Sequence, residues 1–163
     1  MTQALDDRDI RILAILAAEG RIAKTELARR VNLSTTPCWE RLKRLEASGL
    51  IRGYHADVAA EKLGPSVTIF VAAELETHRA ESFRIFEDAV AREEEIIACW
   101  AVGGGIDYMM QVMTTDIDRY QRLIDDLLAR RIGLRRYFSY IVTKATKPLG
   151  PPPLPLIAGL PED

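Results

Sequence analysis

Seven side chains between Ser34 and Arg44 have the chemistry to hold and read a nucleic acid. Ser34, Thr35 and Thr36 offer hydroxyls, Trp39 a flat indole with one donor, and Arg41, Lys43 and Arg44 positive charge. Hydroxyls and cations donate to phosphate oxygens, and side chains that share a helix face reach base edges in the major groove. Spacing decides which of them share a face. Cys38, Leu42 and Leu45 recur at i, i+4 and i+7, so one side of a helix over this stretch is buried. Thr36, Trp39, Glu40 and Lys43 then fall on the opposite side, with Thr35 at its start. Arg41 and Arg44 flank that face, where phosphate contacts would position the protein without specifying sequence. Trp39 has a second reading as a core residue packed on a neighbouring helix. Cys38, on the buried side, reads as a small core residue rather than a redox switch.

The charge of the segment fits the same chemistry. From Arg21 to Arg52 there are eight basic residues against three acids, in a chain whose formal net charge is -2. A phosphate backbone selects for such a local excess, whatever the total. A pair of solvated helices with ordinary surface charge has the same periodicity, so periodicity alone does not separate the two.

A second group is Gly103, Gly104, Gly105 and Asp107. A glycine triplet suggests a phosphate cradle, but such a cradle needs a helix to start after it, and strand formers lie on both sides here. Without side chains, the three let another backbone or a small ligand come close. Asp107 carries a charge suited to an ammonium or amide group, or it caps a backbone amide. His55 and His78 are far apart, with no cysteine near either in sequence, so no metal site is expected. No nucleophile and base stand at a useful spacing, so neither catalysis nor a cofactor is expected.

The elements that must position these residues follow from the periodicity. Leu5 to Ala18 predicts a helix capped by Asp6, with Ile10, Leu13, Ile15 and Leu16 inward, and Gly20 breaks it. Lys24 to Arg30 predicts a second helix with Leu27, Ala28 and Val31 as its apolar stripe. Asn32 and Leu33 make a turn. Ser34 is expected to cap the third helix through its side chain, and Pro37 in the first turn needs no donor. Gly49 ends it. This is the layout of a helix-turn-helix, whose second helix enters the major groove. Leu50 to Val58 is rich in strand formers and reads as a wing or the strand leading out of one.

The second half changes rhythm. Strands are predicted over Val67–Leu75, Ile96–Val102, Ile106–Met113 and Leu134–Thr143, and helices over Ala80–Ala91 and Ile117–Ala129. The order is β-α-β-β-α-β, a four-stranded antiparallel sheet with two helices on one face. The other face needs a partner, and a second subunit is the economical one. The expected fold class is thus α+β. Its domains are a helix-turn-helix domain over 1–61, a hinge at 62–65, a ferredoxin-like domain over 66–147 and a proline-rich tail over 148–163. The tail is too rich in proline for a helix or a central strand and reads as an extended arm lying on a neighbour.

At 163 residues, 48% hydrophobic and 28% charged, the chain has the composition of one or two soluble domains. Its apolar runs fall short of the roughly 18 residues that cross a bilayer, and no signal peptide is expected at MTQALDDRD. Cys38 and Cys99, the only cysteines, make no disulfide framework, so a reducing, cytoplasmic setting is expected.

With LDDRDIRIL at Leu5, GRIAKTELARRVNLS at Gly20, TPCWERLKRLEASGLIRGYHA at Thr36 and GGGIDYMMQV at Gly103, the chain resembles the Lrp/AsnC (feast/famine) family of transcriptional regulators. The likeness runs from Leu5 to Lys147. It implies a winged helix-turn-helix domain followed by a ferredoxin-like domain of the RAM type. It also implies binding to double-stranded promoter DNA, homodimers that tend towards octamers, and an amino acid or related metabolite as effector. The effector would sit between C-terminal domains near Gly103 to Asp107. Three positions depart from the family: Ala23 in place of a capping serine or threonine, Trp39 in place of a smaller residue, and Gly105 in place of an acid. The last puts the usual effector in doubt. PCWERLKRLEA and CWAVGGGIDY also resemble a branch associated with ectoine breakdown. Two other readings remain open: a ferredoxin-like enzyme working at the open sheet face with Glu74 and Cys99, and a metabolite-binding module without a DNA target.

Overall fold

Asp6 starts the first helix, α1 (Asp7–Ala18), through a reciprocal capping box in the computed structural model, which describes residues 5–147 and 149–159. The Asp9 amide donates to the Asp6 carboxylate at 2.9 Å, and the Asp6 amide donates back to Asp9 at 3.3 Å, so two orphan donors are satisfied. The centre of the inward face is Ile12, fully buried, with Leu13, Ile15 and Leu16 packed around it. α2 (Lys24–Arg30) has Ala23 at its N-cap and no side-chain cap bond. Asn32, at φ 54°, makes the turn into α3 (Thr35–Ala47). Ser34 occupies the N-cap position, but its side chain makes no capping bond, which corrects the expected role of its hydroxyl. Gly49, at φ 77°, takes the left-handed conformation that closes the helix. Leu27, Ala28, Val31, Cys38, Leu42 and Leu45 complete a small core with Ile12.

Leu50 to Val58 forms no strand. A strand needs a ladder partner for its backbone groups, and this stretch pairs with none of the four described strands. The Tyr54 hydroxyl instead donates to Glu46 at 2.8 Å. A single 3₁₀ turn, Ala60–Lys62, follows.

The rest is β1 (Val67–Leu75), α4 (Ala80–Val90), β2 (Ile96–Ala101), β3 (Tyr108–Thr114), α5 (Ile117–Ala129) and β4 (Leu134–Ile141). The sheet order is β2-β3-β1-β4, with every neighbour antiparallel. Alternate residues Ile69, Val71, Ala73 and Leu75 join Met110 and Val112 beneath Phe86, Leu123, Ile124 and Leu127 of the helices. The period of two that buries this set turns Phe70, Met109, Trp100, Phe138 and Tyr140 to the other face. On that face Trp100 is 48% exposed, Phe138 43% and Tyr140 57%.

The tail departs from the extended arm expected of it. Leu154–Ile157 forms one helical turn, α6, in contact with α1. Pro155 sits in the first turn, where a missing amide costs nothing. Among the described residues, those up to Val58 and those from Lys147 onward make one unit, and Ala59–Thr146 the other. The tail therefore belongs with the helices of its own chain. No described helix is long and apolar enough to cross a membrane.

Candidate functional site

The α3 face divides its basic residues into two kinds. Thr35, Thr36 and Lys43 are exposed, and Ser34 is exposed at the start of the helix. Arg41 and Arg44 turn instead towards α1. Arg41 Nη1 donates to Asp6 at 2.7 Å and to Asp9 at 2.8 Å, and Arg44 Nη2 donates to Asp9 at 2.6 Å. Asp9 is only 1% exposed, so both guanidiniums neutralise an acid that has no water to do so. Both arginines expected to contact phosphates are thus engaged by carboxylates of the first helix and its cap. The bond from the Asp9 amide, assisted by Arg41, holds the Asp6 carboxyl below its ordinary pKa.

Arg29 and Arg30 are also occupied. Both bond Glu26, and Arg30 also bonds Glu19. The two arginines push the Glu26 carboxyl down to about 2. Much of the positive excess read from composition is therefore balanced within the fold. Trp39 is half-buried against the helical core, as its core reading has it, and two lysines approach its ring. Lys24 Nζ stands 3.3 Å and Lys43 Nζ 5.1 Å from the ring centroid. The approach of Lys24 to Trp39 has no signal in the sequence, because nothing in local periodicity links the start of α2 to the middle of α3. Burial raises the Cys38 thiol pKa, in keeping with an inert core residue.

Gly103, Gly104 and Gly105 are exposed in the β2–β3 turn. A Cβ at any of them would meet open space, so no close approach within the chain demands glycine. Only Gly104, at φ 135°, needs it for conformation. Asp107 is a structural cap in the single chain. Its Oδ2 accepts from the Leu75 amide at 2.8 Å, and its own amide donates to the Ala73 carbonyl at 2.9 Å. Its Oδ1 lies 2.9 Å from Nε2 of His78, itself 65% exposed at the side chain. The His78 pairing had no signal in the sequence.

The residues offered by the enzyme reading are poorly poised. Burial, with Glu87 nearby, pushes the Cys99 thiol up to about 11, which disfavours the thiolate a nucleophile needs. Glu74 is bonded by Arg135 at 2.9 Å and by Arg136 at 2.5 Å.

A helix-turn-helix unit followed by a βαββαβ unit is the architecture of a ligand-responsive DNA-binding regulator, and the comparisons agree. Residues 5–52 match a winged helix-turn-helix DNA-binding domain, and residues 68–152 match the Lrp/AsnC ligand binding domain. The chain is 49% identical to the transcriptional regulatory protein DoeX of Halomonas elongata, over 88% of this chain and 90% of that protein. It is 38% identical to the leucine-responsive regulatory protein of Escherichia coli, over 88% and 87% respectively. The structure superposes on the Neisseria meningitidis regulator NMB0573 in complex with L-Met at a TM-score of 0.87, with 31% identity over 94% of this chain and 99% of that one. An AsnC family regulator from Agrobacterium tumefaciens gives 0.86, also with 31% identity, over 94% and 99%. The chain belongs to the Lrp/AsnC family of transcriptional regulators.

Proposed function

We propose that this regulator binds a promoter duplex in the cytoplasm through the exposed face of α3. An amino acid or amino-acid-derived metabolite, held by the C-terminal unit, changes that binding. Thr35 and Thr36 reach base edges, Ser34 and Lys43 meet phosphates, and Trp39 borders them. Arg41 and Arg44 orient α3 against α1. No catalytic step is involved.

The open sheet face, with Trp100, Phe138 and Tyr140 exposed, supports assembly as a homodimer, with an octamer as the higher form. In that assembly the turn from Gly103 to Asp107 is walled by a second subunit, and the effector's ammonium competes with His78 for Asp107. The effector fits the class of an amino acid or derivative, and a metabolite of ectoine breakdown is the member suggested by the sequence resemblance.

The α3 face carries this reading: two threonines and a lysine stand clear of the core on a helix whose orientation is fixed from behind. Fluorescence anisotropy of the full chain on a duplex from upstream of its own gene tests it. Salt-sensitive binding that Lys43→Ala weakens is expected. One member of a panel of amino acids and their derivatives should raise the melting temperature and shift DNA affinity. Absence of binding to that duplex at low salt would overturn the reading.

A further inference from the structure

Four arginines of the helical unit, Arg29, Arg30, Arg41 and Arg44, pair with acids inside it. Lys24 and Lys43 do not. Among the described residues neither has an acid within ion-pair distance, and both ammoniums gather at the indole of Trp39. The ring's negative face attracts a cation within about 6 Å of its centroid, which accounts for the placement. It does not neutralise either charge. Two uncompensated cations near one ring repel each other, and an anion that both can reach relieves that repulsion.

The ring itself is fixed. Trp39 is half-buried and packs on the same core as Leu27 and Leu42, so it presents both lysines from a rigid base. The exposed hydroxyls of Thr35 and Thr36 lie on the same helix as Trp39 and Lys43. The anion that suits a pair of cations beside such a face is the backbone of a nucleic acid.

We propose that Trp39 is a positioning residue that holds Lys24 and Lys43 as a paired clamp on one DNA backbone phosphate, which adds Lys24 of α2 to the DNA-contacting set. Trp39 then reads no base. The inference rests on the DNA-binding reading above and deepens it. Because a phosphate carries no sequence information, the clamp acts alike on every duplex.

The test uses the full chain and two labelled duplexes, one from upstream of its own gene and one of the same composition scrambled, each titrated across a salt series. Lys24→Ala should weaken binding to both and lower the slope of log affinity against log salt by about 0.9, the value for one lost phosphate contact. Trp39→Leu keeps both charges, yet it should weaken binding to both duplexes and lower the slope as well, because the lysines lose their base. Trp39→Phe retains an aromatic face and should restore most of the slope. Thermal melts accompany each variant, and if Trp39→Leu does not fold, Trp39→Phe decides. A wild-type slope in Lys24→Ala overturns the clamp. So does a Trp39→Phe slope as low as that of Lys24→Ala. A Trp39→Leu variant that loses discrimination between the duplexes at unchanged slope makes Trp39 a base reader and also overturns it. If the wild-type chain binds neither duplex at low salt, the DNA-binding reading itself has failed. That result is distinct from each of the others.

Discussion

In the helical unit, α3 is fixed to α1 by charge as well as by packing. In the sheet unit, α4 and α5 are fixed to the strands chiefly by apolar burial, with neutral hydroxyls adding the bonds of Tyr108 to Glu87 and Tyr120 to Ser139. Asp9, almost without solvent, draws Arg41 and Arg44 across from α3, and the apolar cluster beside it is small. Phe86, Leu123, Ile124 and Leu127 instead cover an unbroken floor of strand residues. The ion pairs of the sheet unit, such as Glu93 with Arg130 at 2.5 Å, lie at the rim. Rim pairs are screened by solvent and add little stability. Identical residue types therefore serve different ends. Arginines beside α1 hold α3 in place, and arginines on the sheet unit pair at its surface. The lysines on Trp39 have no acid within ion-pair distance among the described residues.

The largest effect expected is that of Phe86→Ala. The side chain is fully buried, so its removal should cost the sheet unit about 3–5 kcal/mol. Scanning calorimetry should show that unit melting earlier while the helical unit keeps its transition. A single transition that shifts as a whole would break the comparison, because the two units would then be one cooperative body.

Next comes the double variant Arg41→Ala, Arg44→Ala. It leaves the Asp9 carboxylate buried and unpaired, a loss of roughly 3 kcal/mol, and hydrogen exchange should show it in α1 and α3. Adding Asp9→Asn should recover part of that loss. If stability is unchanged and only the salt dependence of DNA binding falls, the two arginines are phosphate contacts after all, and the division between arginines and lysines is wrong.

The smallest effect concerns the caps, where the two units should behave alike. Asp6 caps α1, and Asp116 caps α5 by accepting from the Arg119 amide at 2.7 Å. Both are held below the ordinary value of 3.8, Asp6 by the Asp9 amide and then Arg41, Asp116 by the Arg119 amide and then Thr115. A depressed carboxylate adds stability that is present above its unfolded pKa and is lost as pH falls through the folded one. Asp6→Ala should therefore cost about 1 kcal/mol at neutral pH and progressively less below pH 3.8. Asp116→Ala should follow the same pH course in the sheet unit. A cost that persists unchanged into acid would mean that packing, not the charged cap, holds the helix start.

Periodicity alone determined much of this protein. The buried stripe of Cys38, Leu42 and Leu45, the span of β1 over Val67–Leu75 and that of α5 over Ile117–Ala129 all follow from neighbours a few residues apart. The periods of 3.6 and 2 are properties of the local backbone, and the βαββαβ order is their sum. What a residue does once its element is built depended on partners distant in the chain. Leu50 to Val58 has the composition of a strand but pairs with none of the four described strands. The proline-rich tail made a helical turn in contact with α1. Arg41 and Arg44 were taken by Asp6 and Asp9, Lys24 came to rest on Trp39, and Asp107 was drawn to the Leu75 amide. Charge and hydrogen bonding act through space between elements, so only the tertiary structure decided which cations of the DNA-facing unit remain without an acid.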